Sequence, residues 1–195
     1  GFMKVKSFLH KRIVDALNAI EERDVYALSL FTAMSEVEIP GEKDILALPE
    51  VKVGYNTESE CDGAEPDAEE RWNSAFWQPN EMTVLSSTDE EDTETMIGWY
   101  RSLGISPVGY EDEATMYDED MRYIGKGPSG LAEILAVLSE IVAELHSSGY
   151  IREKFGEIPV ILCDPEYSPY MIQATMEANP AFTTENFKEY VSSIF

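Results

Sequence analysis

The chain has 195 residues, a length that fits one domain with a sizeable core. Apolar residues make up 44% of it, so folding needs no disulfide or metal. With 38 acidic against 14 basic side chains the net charge is −24, which repels nucleic acid and anionic membrane surfaces and suits a basic protein partner.

The first predicted element is a helix over residues 3–22, where Val5, Phe8, Leu9, Ile13, Ala16, Leu17 and Ile20 recur at helical spacing. Lys4, Lys6, Lys11 and Arg12 hold most of the local positive charge. Residues 25–34 form a near-continuous apolar run of strand length, which predicts a central strand buried on both faces. Val51, Val53 and Tyr55 alternate with Lys52 and Gly54, which predicts a second, half-buried strand. Pro40, Gly41 and Pro49 mark the link between the two as loop. Residues 58–70 carry seven acids and no base, and with Gly63 and Pro66 they read as an exposed acidic loop. Trp72, Phe76 and Trp77 follow at once, then a short strand over 82–85.

Thr88-Asp89-Glu90-Glu91 has the pattern of a capping box, in which the Thr88 hydroxyl accepts the Glu91 amide and the Glu91 carboxylate reaches back. The helix it opens carries Ile97, Tyr100 and Leu103 and stops at Gly104. A short strand is expected over 105–110, six more acids over 111–120 and a turn over 125–128. The clearest helix follows, with Leu131, Ile134, Leu135, Leu138, Ile141, Val142 and Leu145 on one stripe. Residues 158–163 read as a second strongly apolar strand. Ser168 as cap and Pro169 in the first turn open a short helix that Asn179-Pro180 closes. A last helix runs from Thr184 through Phe187, Tyr190, Val191 and Ile194. Helices and strands are interspersed, so the expected fold is α/β or α+β: a central mixed β-sheet packed by about five helices, in one globular domain over residues 3–195.

Two cysteines make neither a disulfide framework nor a zinc site, and fit a reducing cytosol. Cys163 ends an apolar run and is expected to be buried, whereas Cys61 in its acidic surroundings is expected to be exposed. No stretch approaches the ~18 consecutive apolar residues of a membrane span, and no signal peptide opens the chain, so the expected location is cytoplasmic. Met3 reads as the start of the chain proper and Gly1 as a cloning remnant.

No recognisable catalytic motif is present. His10 and His146 both fall in predicted helices, where a structural role outweighs catalysis. Gly125-Lys126-Gly127-Pro128-Ser129-Gly130 has the wrong spacing for a phosphate loop, and Pro128 removes a donor, so it reads as a turn before a helix. Neither acidic run has the alternating acids, central Gly and final Glu of a calcium loop. The expectation is no metal, no cofactor and no catalytic residue. The aromatics beside the first acidic run belong mostly to the core, yet an exposed one within an acidic rim would serve a basic protein as an anchor.

Several segments together resemble the bacterial domain of unknown function 4303 family: the amphipathic first helix, the strand Tyr26-Ala27-Leu28-Ser29-Leu30, Asn56-Thr57-Glu58, Glu70-Arg71-Trp72 with Phe76-Trp77, the late strand before Asp164, and Asn179-Pro180. The likeness spans nearly the whole chain, each motif is weak alone, and the acidic loop after Glu58 has no counterpart in it. The resemblance implies no enzyme activity. Families of this size and kind often occur beside bacterial polymorphic toxins, where they look like immunity proteins, so the resemblance implies an immunity-type inhibitor that covers a toxin's active site.

Three readings stand at this point. The first is a cytosolic binding protein for a basic, toxin-like partner. Its surface would be built from Glu58, Glu60, Asp62, Glu65, Asp67, Glu69 and Glu70, and from Glu111, Asp112, Glu113, Asp118, Glu119 and Asp120, with Trp72 or Trp77 as anchors. The second is an enzyme whose carboxylate or metal site is assembled from distant residues. A deep pocket where acids and tyrosines converge with Arg101 or Arg122 would favour it. The third is a structural or accessory protein whose acidity only solubilises it.

Overall fold

The computed structural model describes residues 2–77 and 80–194; Gly1 lies outside them. Seven α-helices and four strands occur among the described residues: α1 (Phe2–Asn18), β1 (Val25–Glu36), β2 (Ala47–Thr57), α2 (Glu69–Trp72), β3 (Met82–Leu85), α3 (Glu90–Ser102), α4 (Leu131–Ser147), α5 (Tyr150–Phe155), β4 (Val160–Cys163), α6 (Pro169–Ala178) and α7 (Glu185–Ile194). The strands form one mixed sheet in the order β3-β2-β1-β4, and the fold is α+β. The sheet and its helices follow the sequence pattern. The two helices beyond the expected five are the short α2 and α5, too brief to show a helical period.

β1 is central. It pairs antiparallel with β2, placing Leu30 opposite Val53 and Thr32 opposite Val51, and parallel with β4, placing Leu30 opposite Leu162. Alternation then sorts its side chains onto two faces. Leu28 and Leu30 join Val51, Val53, Val160 and Leu162 on one face, against Leu9 and Ile13 of α1, Met96 and Tyr100 of α3, and Ile134, Leu138 and Ile141 of α4. Full burial of each large aliphatic chain here is worth roughly 1.5–3 kcal/mol. Ala27 and Phe31 point to the other face with Ile161 and Cys163, where Trp72, Phe187, Tyr190 and Val191 cover them. The apolar run is continuous because both faces are covered.

Four local expectations are corrected. Pro49 lies inside β2 opposite Met34. β3 reaches only Val51–Val53, so β2 is an open edge at Pro49 and no ladder bond is lost there. α3 starts one residue later than the capping-box reading: Asp89 is the cap, and its carboxylate accepts the Asp92 amide at 2.9 Å. Residues 105–110 form no strand; Val108 makes a single bridge to Ile45. Cys61 is 6% exposed and belongs to the second core cluster. Chain composition misled there, because the acidic neighbours turn outward while the thiol turns in.

The free edge of β4 is closed by α6. Thr175 Oγ1 accepts the Leu162 amide at 2.9 Å and donates to the Leu162 carbonyl at 3.0 Å. Asn179 accepts the Val160 amide through Oδ1 and donates to the Val160 carbonyl through Nδ2, both at 2.8 Å. Two side chains thus supply what a fifth strand would, and the edge offers no template for pairing.

Candidate functional site

The first acidic run is tied to the sheet by a polar network. Glu58 opens it and accepts from both terminal guanidinium nitrogens of Arg71, at 2.7 and 2.8 Å. This hydrogen-bonded pair holds the Glu58 carboxyl below its ordinary range and pushes Arg71 up. The guanidinium lies 4.1 Å above the Tyr26 ring. The Tyr26 hydroxyl donates to the Arg71 carbonyl at 2.6 Å and accepts Asn56 Nδ2 at 2.8 Å. Trp77 Nε1 donates to the same carbonyl at 3.1 Å, and Trp72 Nε1 to the Pro66 carbonyl at 2.7 Å. Tyr26, Asn56, Glu58, Arg71, Trp72 and Trp77 are therefore one staple that holds the loop in place.

That arrangement changes the role of several expected site residues. Glu58 is spent on Arg71. Trp72 is 3% exposed and packs edge-to-face on Tyr26 and Phe187, so it is core and not a surface anchor. Trp77 is half-buried against the same cluster, and the exposed aromatic is Phe76, at 57%. Glu60, Asp62, Glu65, Asp67, Glu69 and Glu70 all face solvent. Cys163 lies beneath Ser74, and burial pushes its thiol up to about 12, which fits a core group.

The second acidic run belongs to a long connection, residues 103–130, between α3 and α4. Connections beyond about 12–15 residues without regular structure are uncommon in compact domains and are often functional. This one is tied at its base and at its tip. At the base, the Gly109 amide donates to the Ser129 carbonyl and the Ser129 amide to the Tyr110 carbonyl, both at 2.8 Å. At the tip, Asp118 Oδ1 accepts the amides of Asp120 and Arg122, both at 2.9 Å. The Ile124 amide donates to the Met116 carbonyl at 2.8 Å. Asp118 is thus a turn former, while Asp112, Glu113, Glu119 and Asp120 are exposed. The same loop exposes large apolar side chains: Met121 at 74%, Ile124 at 58%, and Tyr110 and Tyr117 at about half.

Beneath the loop lies a cavity of about 900 Å³, bordered by Glu111, Tyr117, Arg122 and Tyr123 of the loop and by Asp164, Glu166, Tyr167 and Tyr170 just past the carboxyl end of β4. Tyr123 donates to Glu111, with oxygen separations of 2.6 and 2.9 Å, and accepts the Gly127 amide at 3.0 Å. Burial, then the Glu111 bond, push the Tyr123 hydroxyl above its ordinary value. Burial raises Tyr167 and Tyr170 as well. Asp164 is buried and fully engaged. Its Oδ1 accepts the amides of Glu166 and Ser168 at 3.2 Å each, and its Oδ2 accepts the Ser168 hydroxyl at 2.6 Å.

Tyr167 connects the two acidic regions. Its hydroxyl donates to the Trp72 carbonyl at 2.6 Å, and its ring lines the cavity. The cavity residues past β4 were not legible as a site. Asp164, Tyr167 and Tyr170 are scattered singly in the sequence, and their meeting with Tyr117 and Tyr123 depends on tertiary contact. The one local signal was a run rich in tyrosine and acid after an apolar strand.

Among the described residues, no group of three or more His, Cys, Asp or Glu side chains is placed to hold a metal ion. No helix there is long and apolar enough to cross a membrane. No protein-family model, curated protein or solved structure matches the chain.

Proposed function

We propose that this chain is a cytosolic protein-binding domain that docks a basic partner through the 103–130 loop, in the manner of an immunity-type inhibitor of a basic toxin. The observation that carries this reading is the composition of the loop surface. Met121, Ile124, Tyr110 and Tyr117 are exposed on one loop beside Asp112, Glu113, Glu119 and Asp120. An exposed apolar patch with a polar rim is the anatomy of a protein-binding site. A rim of one sign selects a partner of the other and speeds its approach. Glu60, Asp62, Glu65, Asp67, Glu69 and Glu70 extend the acidic surface. A bacterial, toxin-related setting is only what the resemblance to the domain of unknown function 4303 family implies, and no family model matches the chain.

The test is affinity capture from the native host, elution with salt and identification of what is retained. Affinity of the purified partner is then measured at two salt concentrations. The expected partner is basic. Replacing Asp112, Glu113, Glu119 and Asp120 by their amides should weaken it at least tenfold at low salt and flatten the salt dependence. Unchanged affinity and an unchanged salt slope would overturn the reading.

A second reading, an enzyme, draws on one observation: acids and tyrosines do converge with Arg122 in the cavity. Arg101 is instead paired with Glu42. Binding is favoured over catalysis because Asp164, the buried carboxylate of the cavity, is saturated by its own turn. Among the described residues, no histidine borders the cavity. Under the enzyme reading Glu111→Gln abolishes turnover of a small-molecule substrate while leaving partner binding intact.

A further inference from the structure

We infer that the cavity beneath the 103–130 loop is a receptor for a cationic side chain, an arginine of the partner, held against tyrosine rings and carboxylates. The inference rests on the proposed docking of a basic partner and adds where and how a specific residue of that partner is read.

The wall is built from rings set at steep angles. Tyr117 and Tyr123 are 5.9 Å apart at 73°, and Tyr123 and Tyr170 are 6.4 Å apart at 64°. All three rings border the cavity, so a cation entering it meets aromatic walls, and a guanidinium packs on such rings better than an ammonium does. Glu111, Asp164 and Glu166 outnumber the single bordering cation, Arg122. Arg122 is exposed and forms no ion pair among the described residues.

An anion is the competing occupant, because the N-terminus of α6 also borders the cavity and helix starts attract negative charge. That position is already taken. Asp164 sits at the α6 start, accepting the Ser168 amide and hydroxyl. What remains open is acidic and aromatic. Glu111, oriented by the single Tyr123 hydroxyl proton, keeps acceptor capacity for a charge-assisted guanidinium contact.

The full chain, with isotope-labelled tyrosine rings, is titrated by NMR with three probes: N-acetylarginine methylamide, its neutral isostere N-acetylcitrulline methylamide, and N-acetylglutamate methylamide. The arginine probe should shift the Tyr117, Tyr123 and Tyr170 resonances, with binding in the millimolar range expected of one small group, and the citrulline probe should bind at least tenfold more weakly. Arg122→Ala, an exposed change, should strengthen arginine binding, and Glu111→Gln should weaken it, each by up to about fivefold, the upper end of what one solvent-screened charge pair contributes. Equal response to arginine and citrulline would overturn the inference. So would a preference for the glutamate probe, or weakening or no change on Arg122→Ala. Any of these leaves the loop-docking reading standing, because that is judged from the salt slope of partner affinity.

Discussion

Asn179 satisfies three backbone groups at the sheet edge. It serves the amide and carbonyl of Val160 and the carbonyl of Thr175, all at 2.8 Å. These bonds fix its amide orientation, so Oδ1 is an acceptor and His146 Nε2, 2.7 Å away, must donate. Asn179→Leu would strand buried peptide groups that each cost about 1–3 kcal/mol when unpaired. The expected loss is about 3 kcal/mol, read as a lower urea midpoint with unchanged slope. Burial also pushes the His146 imidazole below its ordinary value, against the opposing pull of Asn179. The folded chain therefore keeps the neutral ring where the unfolded chain takes up a proton. That contribution to stability is complete above the unfolded pKa of about 6.5 and is lost as pH falls through it toward the lower folded value. Unfolding midpoints measured from pH 8 to pH 5 should fall more for wild type than for His146→Gln, which retains a donor. Parallel curves would show that the ring is not responsible.

At the scale of elements, the 103–130 loop behaves as a built unit. Gly109 adopts φ +83°, and a Cβ there would lie 2.5 Å from the Cβ and amide of Ala47. Gly109→Ala therefore conflicts both with the backbone conformation and with β2. It should cost about 2–3 kcal/mol. It should also raise hydrogen exchange at the Gly109 and Ser129 amides while leaving α4 protected. Equal loosening of loop and helix would mean that the loop is not a separate cooperative unit. Tyr123→Phe makes a milder test. It deprives Glu111 and the Gly127 amide of a shared partner, for about 1 kcal/mol.

At the scale of the molecule, the net charge of −24 opposes compactness, and salt screens it. The melting temperature should rise between 10 and 300 mM NaCl, by about 2–4 °C for each kcal/mol of repulsion relieved in a chain of this size. Partner affinity should fall over the same range. A protein whose acidity only solubilises it would show the first trend without the second, so the pair of measurements separates solubilising from recognising charge. Some of the acids have local work: Asp89 caps α3, Glu58 pairs with Arg71, and Asp92 pairs with Arg12 at 2.8 Å.

The sequence alone determined the elements whose signal is periodic: the stripe of α4, the doubly buried run of β1, the start of α6 at Ser168-Pro169 and the acidic character of both runs. These follow from spacing along the chain, because a helix or strand face repeats every few residues. Only the tertiary structure decided which side chains face inward where no period exists. Cys61 and Trp72 went to the core and Phe76 to the surface, although all three share one polar stretch. It likewise decided that the two acidic runs are unequal. The first is stapled down through Glu58 and Arg71, and the second overhangs a cavity whose far wall comes from residues past β4. Such a cavity is long-range by nature. Tyr123 and Tyr170 meet because β4 and α6 dock beside the loop, and no local pattern encodes that meeting.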